Sequence, residues 1–308
     1  MSRDDLFQQP THEAMARELE AHPDYRVLRR FLPKTAYAMP DGRTLLKGIV
    51  VDTETTGTSH NTDRVVELGM VAFEFDQETG QVYRILDSYN SFDDPGMPIP
   101  PATTKIHGIT DEMVAGKAID EARVAQVLDG AAIVIAHNAQ FDRPFLEARL
   151  PLFENVPWAC SLVQVNWTEE GLGSQKLDYI AYQFGFFYEA HRAEADCLAL
   201  LEALQHSLPI SGVKGLKRLL DEYQSTDYRV WARGSGFNTK DMLKERAYRW
   251  DADEKCWHKT VENAALRSEV EWLKAAVYGG QSVMLDFEVF DAYCRFSRRP
   301  GRIVAKPI

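Results

Sequence analysis

The chain predicts a layered α/β fold, a mixed sheet flanked by helices, followed by a small C-terminal α+β domain. Three observations predict it. Three apolar, strand-like segments follow one another closely: Gly48–Asp52, Arg64–Phe75 and Val82–Phe92. Beyond Pro98–Pro101, helical patterns alternate with a β-branched strand, as in helices layered on a sheet. From about Tyr228 the composition turns basic and a hairpin pattern appears.

Residues 1–45 read as a helical extension. Thr11 is placed to cap a helix running through Glu20, and a second short helix is expected over Tyr25–Phe31, before Pro33. In the α/β part, Gln77-Glu78-Thr79-Gly80 supplies the turn between the second and third strands. Thr110–Met113 has the pattern of a helix start, and Glu121–Leu128 of a further helix. Ala132–Ala136 is an apolar strand that delivers His137 and Asn138, and Asp142–Leu150 reads as the next helix. Lys176–Phe184 is an amphipathic helix closed by Gly185. Ala193–Leu204 is a helix with Asp196 near its start, broken by Pro209–Gly212. Val213–Tyr223 reads as a connecting helix. The expected division is therefore 1–45 extension, 46–208 α/β domain, 209–227 helical linker and 228–308 accessory α+β domain, the last separable from the others. Its elements are a helix over Lys240–Arg246, a hairpin turning at Asp251–Lys255, and a helix over Glu262–Ala276 with apolar positions at Leu266, Val270 and Leu273.

Composition narrows the function classes. The 308 residues are 45% hydrophobic and 26% charged, values of a globular protein with ample core. No apolar run approaches the roughly 20 residues that span a bilayer, and Met1–Asp5 begins no signal-peptide apolar region, so no membrane partner and a cytoplasmic location are expected. The four cysteines, Cys160, Cys197, Cys256 and Cys294, are scattered without a C-x-x-C, which argues against a zinc site and for reduced thiols. Net charge is −11, unevenly spread: residues 228–308 hold 15 Lys/Arg against 11 Asp/Glu, a net of +4, and the remainder is −15. The basic tail is a candidate for holding phosphate backbone.

Asp52 and Glu54 follow the apolar run Gly48–Val51. Alternation along a strand sends both side chains to one face. Two neighbouring carboxylates on a buried strand repel each other and are costly to desolvate, and a bound divalent cation removes that cost. Hard oxygen donors without a cysteine cluster point to Mg²⁺ or Mn²⁺.

Three motifs in order, Asp52-Thr53-Glu54-Thr55-Thr56-Gly57, His137-Asn138-Ala139-Gln140-Phe141-Asp142 and His191-Arg192-Ala193-Glu194-Ala195-Asp196, resemble the exonuclease motifs of the DEDDh superfamily. The likeness extends to Val65–Gly69 and Ile106–Thr110, covers roughly residues 46–206, and is nearest to the epsilon (proofreading) subunit of bacterial DNA polymerase III and its relatives. The resemblance implies a ribonuclease-H-like domain with strand order 3-2-1-4-5 and a metal-dependent 3′→5′ exonuclease that releases nucleoside 5′-monophosphates. It implies two ions per site, held by Asp52, Glu54, Asp142 and Asp196, with Asp142 acting in part through water. His191, five residues before Asp196, is expected to take the proton of the attacking water. DNA 3′ ends are the expected substrate and a polymerase or repair complex the expected partner. RNA trimming, or a nucleic-acid-binding polymerase subunit, are the competing readings.

The resemblance also places Thr55, Thr56 and Gly57 beside the terminal nucleotide, and His107 and Asn138 near the substrate strand, positions equally suited to turn chemistry or capping. The segment Lys240–Trp250 resembles accessory domains appended to bacterial exonucleases. Trp250 and Trp257 suit either a base-stacking platform or a cross-strand pair, and Arg295, Arg298, Arg299 and Arg302 either a phosphate track or a solvated terminus.

Overall fold

A computed structural model describes residues 11–308; the first ten residues of the expected extension lie outside the described residues. The extension holds one helix, α1 (His12–Glu20), capped by the Thr11 hydroxyl accepting from the Ala14 amide at 3.2 Å. The second helix expected there does not form. Arg29–Arg30 is instead a short strand, β1, parallel to Phe186–Phe187. The Arg29 amide donates to Gly185 and the Phe31 amide to Phe187, and the Phe31 ring packs 5.6 Å from Phe186. A distant strand edge satisfies this backbone, and that outweighs the weak local helix propensity.

The main sheet is built from β2 (Leu46–Thr55), β3 (Val65–Phe75), β4 (Val82–Phe92), β5 (Ala131–Ala136) and β6 (Trp158–Cys160), in the order β4-β3-β2-β5-β6. β2, β3 and β4 pair antiparallel, while β5 and β6 run parallel to β2. This is the expected 3-2-1-4-5 order. Between β4 and β5 lie α2 (Pro101–His107), α3 (Asp111–Val114) and α4 (Glu121–Leu128), and between β5 and β6 lies α5 (Ala139–Arg149). Then come α6 (Ser161–Gln164), α7 (Leu177–Gln183), β7 (Phe186–Phe187), α8 (Ala193–Gln205) and α9 (Gly215–Tyr223).

Helices cover both faces of this sheet, so β3 is buried along almost its whole length. One core takes Val50, Val71, Ile133 and Ile135 against Ile180 of α7, Leu200 and Leu204 of α8 and Leu219 of α9. The other takes Ile49, Val51, Met70 and Val134 against Val124 of α4 and Phe145 and Leu146 of α5. Alternation along β2 thus assigns even-numbered residues to the α8 side and odd-numbered ones to the α5 side.

The C-terminal part forms a second, all-antiparallel five-stranded sheet, ordered β12-β11-β8-β10-β9. Its strands are β8 (Asp227–Trp231), β9 (Arg249–Asp251), β10 (Cys256–Glu262), β11 (Met284–Phe290) and β12 (Arg302–Pro307). Helix α10 (Lys240–Glu245) precedes β9, and α11 (Asn263–Trp272) continues into a π turn over Leu273–Val277. Val230, Leu243, Tyr248, Leu273 and Phe287 form its core. Trp250 and Trp257 are register partners across β9 and β10, edge to face at 5.6 Å, so they meet each other across the hairpin.

Residues 291–299 fasten this sheet to the first. Arg143 of α5 is 0% exposed and donates to the carbonyls of Ala292, Tyr293 and Arg295. The Trp158 amide of β6 donates to Ala292 at 2.8 Å, and Phe296 packs on the α5-side core. Glu147 receives Arg143 at 2.7 Å, Arg299 at 3.1 Å and the Ser297 hydroxyl at 2.5 Å. Of the four tail arginines, read as either a phosphate track or a solvated terminus, two are held by carboxylates. Arg295 is buried and paired with Asp227, and Arg299 is spent on Glu147 and Glu154. The connecting segment of the tail completes the hydrogen bonding of a buried guanidinium in α5, so the two sheets share an interface.

Candidate active site

Parity along β2 decides which carboxylates meet. Asp52 and Glu54 lie on the α8 side, where Asp196 enters from the first turns of α8. One oxygen from each of Asp52, Glu54 and Asp196 lies within 4.8 Å of the other two. The approach requires Gly69, the register partner of Asp52 on β3: a Cβ there would overlap the Ala193 backbone at the start of α8. The buried Cys197 thiol contacts the Gly69 carbonyl and seals the joint at 3.5 Å.

Asp142 comes from the opposite side. It lies in the first turn of α5, which begins at Ala139, three residues before the expected start, with Asn138 rather than Asp142 at the cap. Its Oδ1 accepts from the amide and hydroxyl of Thr53 at 3.1 and 2.8 Å. Thr53 is odd-numbered and faces α5, so this bond ties Asp142 to the strand between the other two carboxylates, outside the three-residue group.

The site resists carrying its full negative charge. Burial, then repulsion by Asp142, Asp196 and Glu54, holds Asp52 well above the usual carboxylate range. Burial, then Asp196, pushes Glu54 up to about 8. Burial raises Asp142, against the bonds from Thr53. Burial raises Asp196 as well, against its hydrogen bonds. Its Oδ1 accepts from the Tyr188 phenol at 2.8 Å and its Oδ2 from the Arg192 amide at 3.1 Å. Three half-buried oxygen donors that repel one another are a donor set suited to a hard divalent cation.

His191 is exposed on the loop entering α8, with φ of 66°, in the left-handed region that His tolerates better than most side chains. Its neighbour Arg192 reaches Glu67 on β3, which is 0% exposed and the register partner of Glu54. Glu67 also accepts from Asn90 at 3.0 Å and from the Ala193 amide at 3.3 Å. Glu67, Arg192 and Tyr188 are the residues that sequence reading passed over as individuals. Glu67 carried a visible sign: a lone charge between Val66 and Leu68 in an apolar strand. Tyr188 carried none.

Thr55 and Thr56 are buried and use their hydroxyls on the turn, Thr55 toward the Gly57 carbonyl at 2.6 Å and Thr56 toward Asp63 and the Arg64 amide. Gly57 has no room for a side chain because the Asp63 carboxylate occupies that space. His107 is buried. Its Nδ1 accepts from the Ile109 amide at 3.0 Å, and its Nε2 has no hydrogen-bond partner. It lies beside the Thr55 backbone and within electrostatic reach of His191, and burial lowers its basicity. Asn138 is exposed at the start of α5 and makes no capping bond. His137 is part of the scaffold. Its ring nitrogens bond Ser161 and the Gln175 carbonyl at 2.9 and 2.8 Å, and burial lowers its pKa to about 4.

A family model described as Exonuclease matches residues 49–204, the segment that contains all four carboxylates and His191. The DNA polymerase III subunit epsilon of Treponema pallidum (strain Nichols) is 33% identical over 164 residues, 49% of this chain and 71% of that protein. The PolC-type DNA polymerase III of Clostridium perfringens (strain 13 / Type A) is 32% identical over 171 residues, 52% of this chain but 11% of that protein. Among solved structures, a complex of exonuclease X with 5′-overhanging duplex DNA matches 56% of this chain and 98% of that one, at 24% identity and a TM-score of 0.41.

Proposed function

Because the chain belongs to the exonuclease family, we propose that it removes nucleotides from the 3′ ends of DNA, hydrolysing each terminal phosphodiester to a nucleoside 5′-monophosphate. The observation that carries this reading is the convergence of Asp52, Glu54 and Asp196 within 4.8 Å, with His191 on the loop that leads into the same helix. These carboxylates, joined by Asp142, would hold two Mg²⁺ or Mn²⁺ ions. When bound, the ions supply the positive charge that the phosphoryl and leaving oxygens need.

The chain's own groups do the rest. Tyr188 and the Arg192 amide fix the rotamer of Asp196, and Thr53 fixes that of Asp142. His191 accepts the proton of the attacking water. The Arg192–Glu67 pair anchors the loop that presents His191. In this reading the Thr55–Gly57 turn, whose Thr56 amide is already held by the Arg64 carbonyl, borders the terminal sugar together with His107, and the unused Asn138 side chain contacts the strand beyond it. Likeness to a polymerase III subunit supports DNA as the substrate, a polymerase or repair complex as the partner, and a cytoplasmic site of action. No helix among the described residues is long and apolar enough to cross a membrane. We assign residues 46–208 to the exonuclease domain and 228–308 to an accessory domain that assists substrate binding.

The test is degradation of matched DNA and RNA oligonucleotides, single- and double-stranded, labelled at the 5′ end. Stepwise shortening of DNA from its 3′ end, lost in Asp52→Asn, supports the assignment. Faster loss of RNA, or internal cuts, overturns it.

A further inference from the structure

Between the loop after Gly57 and the start of α5 lies a cavity of about 260 Å³, lined by Thr58, His60, Asn138, Gln140, Phe141 and Phe145, and by Arg298 from the C-terminal segment. The loop that follows Thr55–Gly57 forms one wall and the start of α5 the other. We propose that Arg298 makes this cavity a backbone-phosphate subsite for the single strand leading to the cleaved end, so that the C-terminal segment completes the substrate cleft. The inference rests on the exonuclease reading above and extends it to residues outside the matched family segment.

Four observations carry it. First, the place of Arg298 is built: the segment on which it sits is held by Arg143, which is 0% exposed, through the carbonyls of Ala292, Tyr293 and Arg295, and by Glu147 through Ser297 and Arg299. Second, its charge is uncommitted. Arg295 is spent on Asp227 and Arg299 on Glu147, whereas Arg298 is exposed and has no ion pair among the described residues. Arg302 lines a different groove, against α11.

Third, the lining is matched to a nucleotide. No carboxylate borders the cavity; Asn138 and Gln140 are exposed amides, and Phe141 packs 5.0 Å from Phe145, with His60 edge-on to Phe145. Polar edges, a cation and aromatic surface are what a phosphate and its base require. Fourth, the chain is strongly acidic outside its tail, and a polyanion approaching clustered carboxylates needs a cation at the entrance. The 11-residue helix α5 also starts at this cavity, and its N-terminal dipole has the same sign as Arg298.

The test compares the full-length protein with Arg298→Glu and Arg298→Lys on two substrates. One is a 12-nucleotide single strand; the other is the p-nitrophenyl ester of a nucleoside 5′-monophosphate, which has a single phosphate and no strand beyond it. Arg298→Glu is expected to raise KM for the strand by about tenfold or more, with kcat little changed, and to make the salt dependence of binding shallower by about one unit of slope. The loss on the ester should be at least tenfold smaller, and Arg298→Lys should recover most of the strand affinity. If the wild type cuts both substrates and Arg298→Glu matches it on the strand, the subsite is rejected while the exonuclease reading stands. Equal losses on both substrates reject it too, since Arg298 would then support the catalytic centre itself. If the wild type cuts neither substrate, the exonuclease reading fails and the subsite with it.

Discussion

The guanidinium of Arg192 closes on the fully buried carboxylate of Glu67 at 2.9 Å, and this pair fixes the backbone between His191 and the start of α8. The two partners are unequally exposed: Glu67 has no solvent contact, while the Arg192 side chain is 46% exposed. Arg192→Ala therefore leaves a buried charge with only Asn90 and the Ala193 amide, at an expected cost of about 2–3 kcal/mol. Glu67→Gln frees an arginine that water can solvate and should cost less than half of that. Both should lower kcat by about tenfold or more through the His191 loop, with KM nearly constant. Thermal melts and steady-state kinetics check this; equal stability losses in the two variants would contradict it.

The carboxylate group predicts a pH dependence of stability in chelator. Glu54 is lifted from its ordinary 4.5 to about 8, first by burial and then by Asp196, so the folded chain keeps a proton that the unfolded chain sheds. Its stabilising contribution is present below about pH 4.5 and is lost as pH rises toward 8. Glu54→Gln should accordingly melt higher than wild type at pH 8, by a margin that shrinks on acidification, and Mg²⁺ should narrow the margin by stabilising the wild type more than the variant. His137 acts in the opposite direction, destabilising the fold as pH falls from 6.5 toward about 4. It is common to both proteins, so the difference between their melts removes it.

His191→Ala should reduce turnover by roughly 10²–10⁴-fold, the range for loss of a general base, with little change in substrate affinity. The acidic limb of the pH–rate profile should disappear. Because the His191 side chain is exposed, its removal takes away no buried contact, and only the φ of 66°, less favourable for Ala, should lower the melting temperature slightly. An unchanged profile would show that another group takes the proton.

Arg143→Met in the full chain removes three donors from the carbonyls of residues 292, 293 and 295. With the bond from Arg143 to Glu147 also lost, the expected cost is about 4 kcal/mol, roughly one per lost bond in a buried interface. Truncation after Gln224 should lower the melting temperature further, since it also removes Phe296 from the α5-side core. A truncated chain as stable as the intact one would show that the two sheets fold independently.

Much of this was legible in sequence because it depends on local period. The placement of Asp52 and Glu54 on one face follows from strand alternation, whereas the five-stranded order came with the family resemblance and not from local pattern. The same alternation puts Asp142 on the other side of β2, through Thr53, but that inference needed the knowledge that α8 and α5 lie on opposite faces. Long-range pairings were not legible. β1 and β7 are two residues each and exist only because they meet. Arg143 resembles any helix arginine until residues 292–295 arrive. The tail arginines differ in fate for the same reason: Asp227 and Glu147 pair with Arg295 and Arg299, and Arg298 has no ion pair among the described residues.

The central claim is that Asp52, Glu54 and Asp196 hold divalent cations that make this chain a 3′→5′ exonuclease. The most direct measurement is a time course on a 5′-labelled single-stranded DNA, run for wild type and Asp52→Asn with Mg²⁺, with Ca²⁺ and with EDTA. Wild type in Mg²⁺ alone should give a ladder shortening from the 3′ end and free nucleoside 5′-monophosphate, with Asp52→Asn folded but inactive throughout. Full cleavage by wild type in EDTA, or by Asp52→Asn in Mg²⁺, would contradict it.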